Sequence, residues 1–173
     1  LLQRIAGMCD SENGSIRFNG VPLRHLELER VRRAIGDNMG QEDLFEGSVL
    51  ENLTLGRDGV GKKEAEAVID LCGLRNFVND LDEGIYTQLP PNGLGLAQSI
   101  RTRVLMARCL IGNHCLLLIE DTWQDVARET RKQWTEFLLS DATPTVLMAT
   151  NDKEVLEQMD RVYTLHNGRL VEK

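Results

Sequence analysis

The sequence predicts an α/β fold built on a parallel sheet covered by helices. Two short runs carry that expectation. Residues 115–119 and 145–150 are almost wholly apolar, as strands buried on both faces are. The segments around them repeat their apolar residues at helical spacing, and alternating strands and helices give an α/β class. A helix-rich middle, from about 50 to 110, separates an N-terminal hairpin from the two strands. It reads as a helical subdomain inserted into the core.

Taken in chain order, residues 1–8 read as the tail of a helix, and residues 10–14 as a turn cluster. Asn19-Gly20 lies between short alternating arms in 15–23, a strong hairpin signal. Residues 26–34 are charged and fit a short helix or loop. Ser48, with Glu51 three residues on, makes a capping box for a helix over 48–55. In 62–72, Ala65, Val68, Ile69 and Cys72 fall at i, i+3, i+4 and i+7, and Gly73 stops the helix. Residues 80–93 read as loop, with Pro90-Pro91 excluding regular structure. The longest helical pattern covers 96–111, with Ile100, Val104, Ala107 and Ile111 on one face and three arginines on the rest. A helix over 125–139 turns Val126, Trp134, Phe137 and Leu138 inward. Asn167-Gly168 closes a terminal hairpin between 161–166 and 169–172.

Composition narrows the function. The chain has 173 residues, 42% hydrophobic and 27% charged, which is globular rather than disordered. A chain of this size buries roughly 70% of its unfolded surface and needs no disulfide or metal to hold a core. Lys and Arg number 20 against 27 Asp and Glu, a net charge of −7. That balance argues against a nucleic-acid partner, which needs a basic face. No apolar run is long enough to span a bilayer, and none of these residues reads as a signal peptide. Cys9, Cys72, Cys109 and Cys115 are scattered and read as reduced core thiols. His114 beside Cys115 lacks a second ligand pair at metal spacing. The first residues, Leu1-Leu2-Gln3-Arg4-Ile5, read as cut from something longer.

Six segments in order carry a family resemblance. They are Leu1 to Met8 with the turn and Gly14 to Gly20, then Ile35-Gly36 with Leu44-Phe45-Glu46-Gly47-Ser48-Val49-Leu50-Glu51-Asn52-Leu53, Gly93 to Leu110 with Ala107-Arg108-Cys109-Leu110, Leu116 to Asp121, Thr145 to Asn151, and the closing hairpin Val162 to Glu172. Over essentially the whole chain they resemble the nucleotide-binding (ATPase) domain of ABC transporters, in exporter style. The resemblance implies a RecA-like P-loop NTPase core of the ABC ATPase type with an inserted helical subdomain, truncated at the N-terminus. Residues 1–48 and 112–173 would form the α/β core, and about 49–111 the helical subdomain with the signature helix.

The family's site positions are altered here. No GxxxxGK[ST] phosphate loop occurs in the sequence. Either that loop lies upstream of these residues, or the gene product lacks it. The Q-loop glutamine, which meets Mg²⁺ and the attacking water, aligns with Gly40, with Gln41 one residue late. The signature, which holds the γ-phosphate of a partner's ATP, reads Leu96-Ala97-Gln98-Ser99-Ile100. Its serine is Ala97, and side chains replace both glycines where phosphate needs close backbone approach. The Asp-Glu pair of Walker B is inverted. Glu120 falls at the Mg²⁺ position and Asp121 at the catalytic glutamate position. The D-loop reads Gln124-Asp125-Val126-Ala127. The switch histidine is Asn151, an amide that cannot become cationic. His114 and His166 lie outside the pattern.

The resemblance implies ATP and Mg²⁺ as ligands, a second nucleotide-binding domain as partner in a homo- or heterodimer, and a transmembrane domain at the cytoplasmic face of the cell membrane. The membrane is reached only through that domain. A cleft near 41–53 would receive its coupling helix. The family is an ATP hydrolase, but with these positions altered the expected function is coupling and dimerisation with weak or no hydrolysis. Two alternatives stand beside it: an active ATPase with relaxed motifs once an upstream phosphate loop is present, and a nucleotide-free scaffold on the same fold.

Overall fold

A computed structural model describes residues 1–9, 14–39, 43–141 and 143–173. A short helix α1 (Leu2–Ile5) precedes the hairpin β1 (Arg17–Phe18) and β2 (Val21–Pro22). Asn19 and Gly20 take φ of 48° and 82° at its tip. Positive φ at both central residues is the turn whose twist matches a hairpin, and Asn-Gly adopts it at least cost. The same dipeptide turns the last hairpin, β8 (Tyr163–His166) and β9 (Arg169–Glu172), with φ of 48° and 75°.

Between the hairpins run α2 (Leu28–Arg33), β3 (Ile35–Asp37), β4 (Gly47–Ser48), α3 (Val49–Thr54), α4 (Lys62–Leu71), α5 (Arg75–Asn79), β5 (Gln88–Leu89), α6 (Gln98–Leu110), β6 (Leu116–Glu120), α7 (Arg128–Leu138), β7 (Thr145–Ala149) and α8 (Lys153–Leu156). Among the described residues the central sheet has the order β3-β6-β7, and both pairings are parallel. No helix of the described residues is long and apolar enough to cross a membrane.

β6 is the buried strand its composition predicts. Its alternation divides two cores. Leu117 and Ile119 pack with Leu53, Ile69, Val104 and Trp134 on the helical side, while Leu118 packs with Ala6, Ile35 and Met39 on the other. β7 corrects the expectation of a second strand buried on both faces. Its residues alternate between exposed and half-buried, and among the described residues it pairs only with β6. An edge strand keeps one row of main-chain groups and part of its side chains in water.

α3 starts on the capping box the sequence announces. Ser48 Oγ accepts from the Glu51 amide at 3.1 Å, and the Ser48 amide donates to Glu51 Oε2 at 2.7 Å. The Ser48 hydroxyl and amide hold the Glu51 carboxyl below its ordinary value. α6 crosses β3 at Gly36, where a Cβ would lie 2.3 Å from the Cys109 carbonyl oxygen. Only glycine permits that approach.

Of the three arginines of α6, Arg108 is buried. It is 4% exposed, and its guanidinium donates to the Asn52 carbonyl at 2.9 Å and to Asn52 Oδ1 at 3.2 Å. Two further expectations need correction. Residues 80–93 are not all loop. β5 pairs antiparallel with β4, and a 3₁₀ turn begins at Pro91, where the missing N–H is not needed. Of the four cysteines only Cys72 and Cys109 are buried, while Cys9 and Cys115 are exposed. Cys115 precedes β6 at its open end, so apolar sequence neighbours did not bring it inside. The turn cluster at 10–13 and the positions Gly40 and Gln41 lie outside the described residues.

Candidate functional site

Ligands of open α/β sheets sit beyond the carboxyl ends of the strands. Here that edge carries Asn38 after β3, Glu120 and Asp121 at the end of β6, and Thr150 and Asn151 after β7. Asp37 Oδ1 accepts from the Met39 amide at 3.2 Å, and the chain leaves the sheet there. The Asn38 side chain then takes over the ladder. Its Oδ1 accepts from the Glu120 amide at 2.7 Å, and its Nδ2 donates to the Glu120 carbonyl at 2.9 Å.

The other side of the acid pair is tied to β7. The Asp121 amide donates to the Ala149 carbonyl at 3.0 Å. Thr150 Oγ1 donates to Asp121 Oδ2 at 2.7 Å and accepts from the Asp152 amide at 2.9 Å. Asp152 in turn caps α8. Gln124 Nε2 donates to the Asp121 carbonyl at 2.9 Å, bending the following loop back. Glu120 and Asp121 are both half-buried, and Asn151, one residue past Thr150, is exposed.

The predicted signature residues open α6. Ala97 is its N-cap, without a side-chain cap bond, because alanine has no acceptor to give. Ala97 and Gln98 are exposed, and Leu96, Ser99 and Ile100 are half-buried. The next three residues each reach a different loop. Arg101 pairs with Asp43 at 2.5 Å, Thr102 Oγ1 donates to Asp125 Oδ2 at 2.9 Å, and Arg103 donates to the Gly73 carbonyl at 2.6 Å. A cavity of about 420 Å³ lies between this helix start and the strand end, lined by Asn38, Gln98, Thr122 and Trp123 among others. Trp123 packs on Trp134 at 5.2 Å between ring centroids and 60° between planes.

The structure thus brings Gln98 and the loop after the acid pair, at Thr122 and Trp123, to one cavity that Glu120 and Asp121 do not line, and it places Asp121 beside the Asn151 turn. Sequence reasoning missed Asn38, Thr150, Arg101 and Thr102. A polar residue straight after a short apolar strand was the available signal for Thr150, while Asn38 follows the acidic end of β3 and offered none. His114 is half-buried, its Nε2 is 2.8 Å from the Ile111 carbonyl, and burial pushes its pKa down. It braces the end of α6 rather than lining the strand-end site. His166 lies on exposed β9's partner strand, β8.

The residues fit a phosphate–Mg²⁺ centre poorly. Phosphate at a helix start needs bare backbone, and Gln98 and Ser99 place Cβ atoms there. Mg²⁺ at such sites takes one or two carboxylates plus phosphate oxygens. Among the described residues no three Asp, Glu, His or Cys side chains gather to hold an ion. Asp121 already gives one oxygen to Thr150.

No protein-family model matches the chain. Individual relatives do, along its whole length. A multidrug efflux ATP-binding/permease protein of Mycobacterium bovis is 30% identical over 173 residues, covering 99% of this chain and 14% of that protein. The ABC transporter ATP-binding protein YknV of Bacillus subtilis, itself uncharacterised, is 25% identical over 172 residues, covering 98% and 28%. The transport/processing ATP-binding protein ComA of Streptococcus pneumoniae is 24% identical over 174 residues, covering 100% and 24%. The chain therefore spans less than a third of the length of these relatives. A bacterial Atm1-family ABC exporter, solved with ATP bound, superimposes with a TM-score of 0.85 at 24% identity, over 98% of this chain and 30% of that one. That likeness establishes the fold, a P-loop NTPase core of the ABC type. Along its full length the chain is thus similar to ATP-binding proteins of ABC transporters, exporters among them, and it has the fold of an ABC exporter's nucleotide-binding domain.

Proposed function

We propose that this domain serves an exporter-type ABC transporter as one of two paired nucleotide-binding domains, coupling ATP-dependent dimerisation to a transmembrane partner, and that this copy hydrolyses ATP weakly or not at all. Residues 49–111 act as its helical subdomain. It works at the cytoplasmic face of the membrane and meets the bilayer only through that partner.

The inverted order of the acid pair carries the hydrolysis half of the proposal. A general base must sit within hydrogen-bond reach of its water. Thr150 donates to Asp121 Oδ2, and the Asp121 main chain is bonded to Ala149 and Gln124, so this shorter side chain is held against the β7 turn with its other oxygen left as acceptor. The inverted Glu120-Asp121 order also displaces each charge by about 1–1.5 Å, a misplacement that costs about a hundredfold in rate. Side chains at Gln98 and Ser99 weaken the phosphate seat offered to the second domain. The coupling half is supported by two exposed apolar residues on adjoining loops, Phe45 at 41% and Leu94 at 79%. The Asn92 amide donates to the Leu44 carbonyl at 2.7 Å and holds those loops together.

The test is Mg-ATP titration calorimetry and steady-state hydrolysis on the full-length polypeptide that contains these residues. Binding with little or no turnover is the expected result. Robust turnover overturns the hydrolysis half. No binding at millimolar ATP removes the nucleotide dependence. The double change Glu120→Asp, Asp121→Glu is expected not to create robust hydrolysis by itself, because the signature and switch positions stay altered.

A further inference from the structure

The cavity of about 420 Å³ between α6 and the loop after β6 changes character from base to mouth. Trp134, Met106 and Trp123 form the base, at 0, 1 and 5% exposure, with Leu105 half-buried beside them. Indole rings pack best against another aromatic ring, and a methionine sulfur adds a favourable contact at a ring edge. Gln98 and Thr122 line the same cavity and are exposed, so they stand at its mouth. The volume falls within the roughly 300–1,000 Å³ of small-molecule sites.

The polar side chains of the lining divide into engaged and free. Asn38 bonds Glu120 through both of its polar atoms, Thr102 Oγ1 donates to Asp125, and Arg101 pairs with Asp43. Gln98 and Thr122 make no side-chain hydrogen bond with any described residue. Arg101 and Asp43 are the charged residues of the described lining, and each already has its counter-charge in the other. A charged guest leaving water for this space gains no partner there and keeps its desolvation cost. The free groups are neutral. Gln98 offers a carbonyl acceptor and an NH₂ donor side by side, the complement of another carboxamide.

We propose that this cavity binds a small, uncharged aromatic carboxamide. Its ring lies on the base formed by Trp123, Trp134 and Met106, and its amide pairs with the Gln98 carboxamide, with the Thr122 hydroxyl as a second polar contact. Neither Glu120 nor Asp121 lines the cavity. The site therefore does not depend on whether the acid pair supports hydrolysis.

Calorimetric titration of the full-length polypeptide with benzamide tests it. Methyl benzoate serves as the second probe, since it matches benzamide in shape but has no N–H to donate. Benzamide is expected to bind, and Gln98→Leu to weaken it about tenfold through loss of the paired hydrogen bonds. Methyl benzoate is expected to bind more weakly than benzamide and to lose less. Gln98 is exposed, so the change leaves the core untouched. Should Gln98→Leu shift the urea midpoint, Gln98→Glu keeps the side-chain shape, removes the donor and is read against the same outcomes. No benzamide binding at millimolar concentration overturns the inference. So does a benzamide affinity that Gln98→Leu leaves unchanged, and so does an equal loss for both probes, which would make Gln98 a matter of cavity shape alone.

Discussion

Asn38 holds Glu120 by both of its main-chain polar groups, accepting from the amide at 2.7 Å and donating to the carbonyl at 2.9 Å. A carboxamide is the one short side chain that offers an acceptor and a donor at this spacing. The clamp fixes the end of β6 where β3 has already left the sheet. Asn38→Asp keeps the acceptor but sets a carboxylate oxygen against the Glu120 carbonyl. Asn38→Leu leaves both Glu120 groups unpaired. Each is expected to lower stability by about 1–3 kcal/mol, seen as a lower urea midpoint with an unchanged slope.

Gly36 and Cys109 bring β3 and α6 together at a distance no side chain tolerates. In Gly36→Ala the new Cβ would meet the Cys109 carbonyl oxygen at 2.3 Å and the Leu117 and His114 side chains at 2.7 and 2.8 Å. The nearest atom is backbone, so the helix itself must shift. A loss of about 3 kcal/mol or more is expected, measured by thermal or urea unfolding. Little or no loss would mean that α6 slides freely on the sheet, against the hold that Arg57 and Asn52 keep on its C-terminal end.

Arg108 is a buried cation of α6, 4% exposed. Its guanidinium satisfies the carbonyl and side-chain oxygens of Asn52 and lies over the Phe45 ring at 5.9 Å. Lysine cannot reproduce a planar fork of donors. Arg108→Lys is therefore expected to fall well short of wild type, and Arg108→Met to lose about 2–3 kcal/mol through unpaired oxygens. Equal stability of Arg108→Lys and wild type in urea would count against this.

His114 gives the domain a pH dependence. Burial is the main cause that lowers its pKa, opposed by the Ile111 carbonyl and assisted by nearby Arg57. A lowered base is neutral in the fold and takes up its proton on unfolding. Its stabilising share is complete above the unfolded value of about 6.5 and declines as pH falls through it. The urea midpoint should drop between pH 7.5 and 5.5. His114→Gln should flatten that interval without altering the separate loss below about pH 4.5, where protonation of Glu51, Glu64 and Asp70, all held low by hydrogen bonds, takes over.

Thr150 ties Asp121 to the turn before α8. Thr150→Val removes the hydroxyl at nearly constant shape and is expected to cost about 1 kcal/mol. Asp121→Asn keeps an oxygen to accept from Thr150 and should cost less than Asp121→Ala. If instead all three variants unfold at the wild-type urea midpoint, the contact carries no weight.

The elements legible in the sequence are those whose cause is local. Both Asn-Gly hairpins, the Ser48–Glu51 cap, the period of α4 and the apolar β6 follow from residues within a few positions of one another. Turn geometry, capping and amphipathic spacing act over that range, so the sequence alone determined them, together with the α/β class. The rest depended on partners that sequence distance hides. Asn38 meets Glu120 from 82 residues away, and Arg108 meets Asn52 from 56. Whether β7 is a core or an edge strand depends on its neighbours, not on its composition. Whether an arginine faces water or a buried carbonyl depends on what packs over it. Burial and hydrogen-bond pairing belong to the folded chain, and so the clamp on Glu120, the engagement of Asp121 and the three ties of α6 were decided only by the tertiary structure.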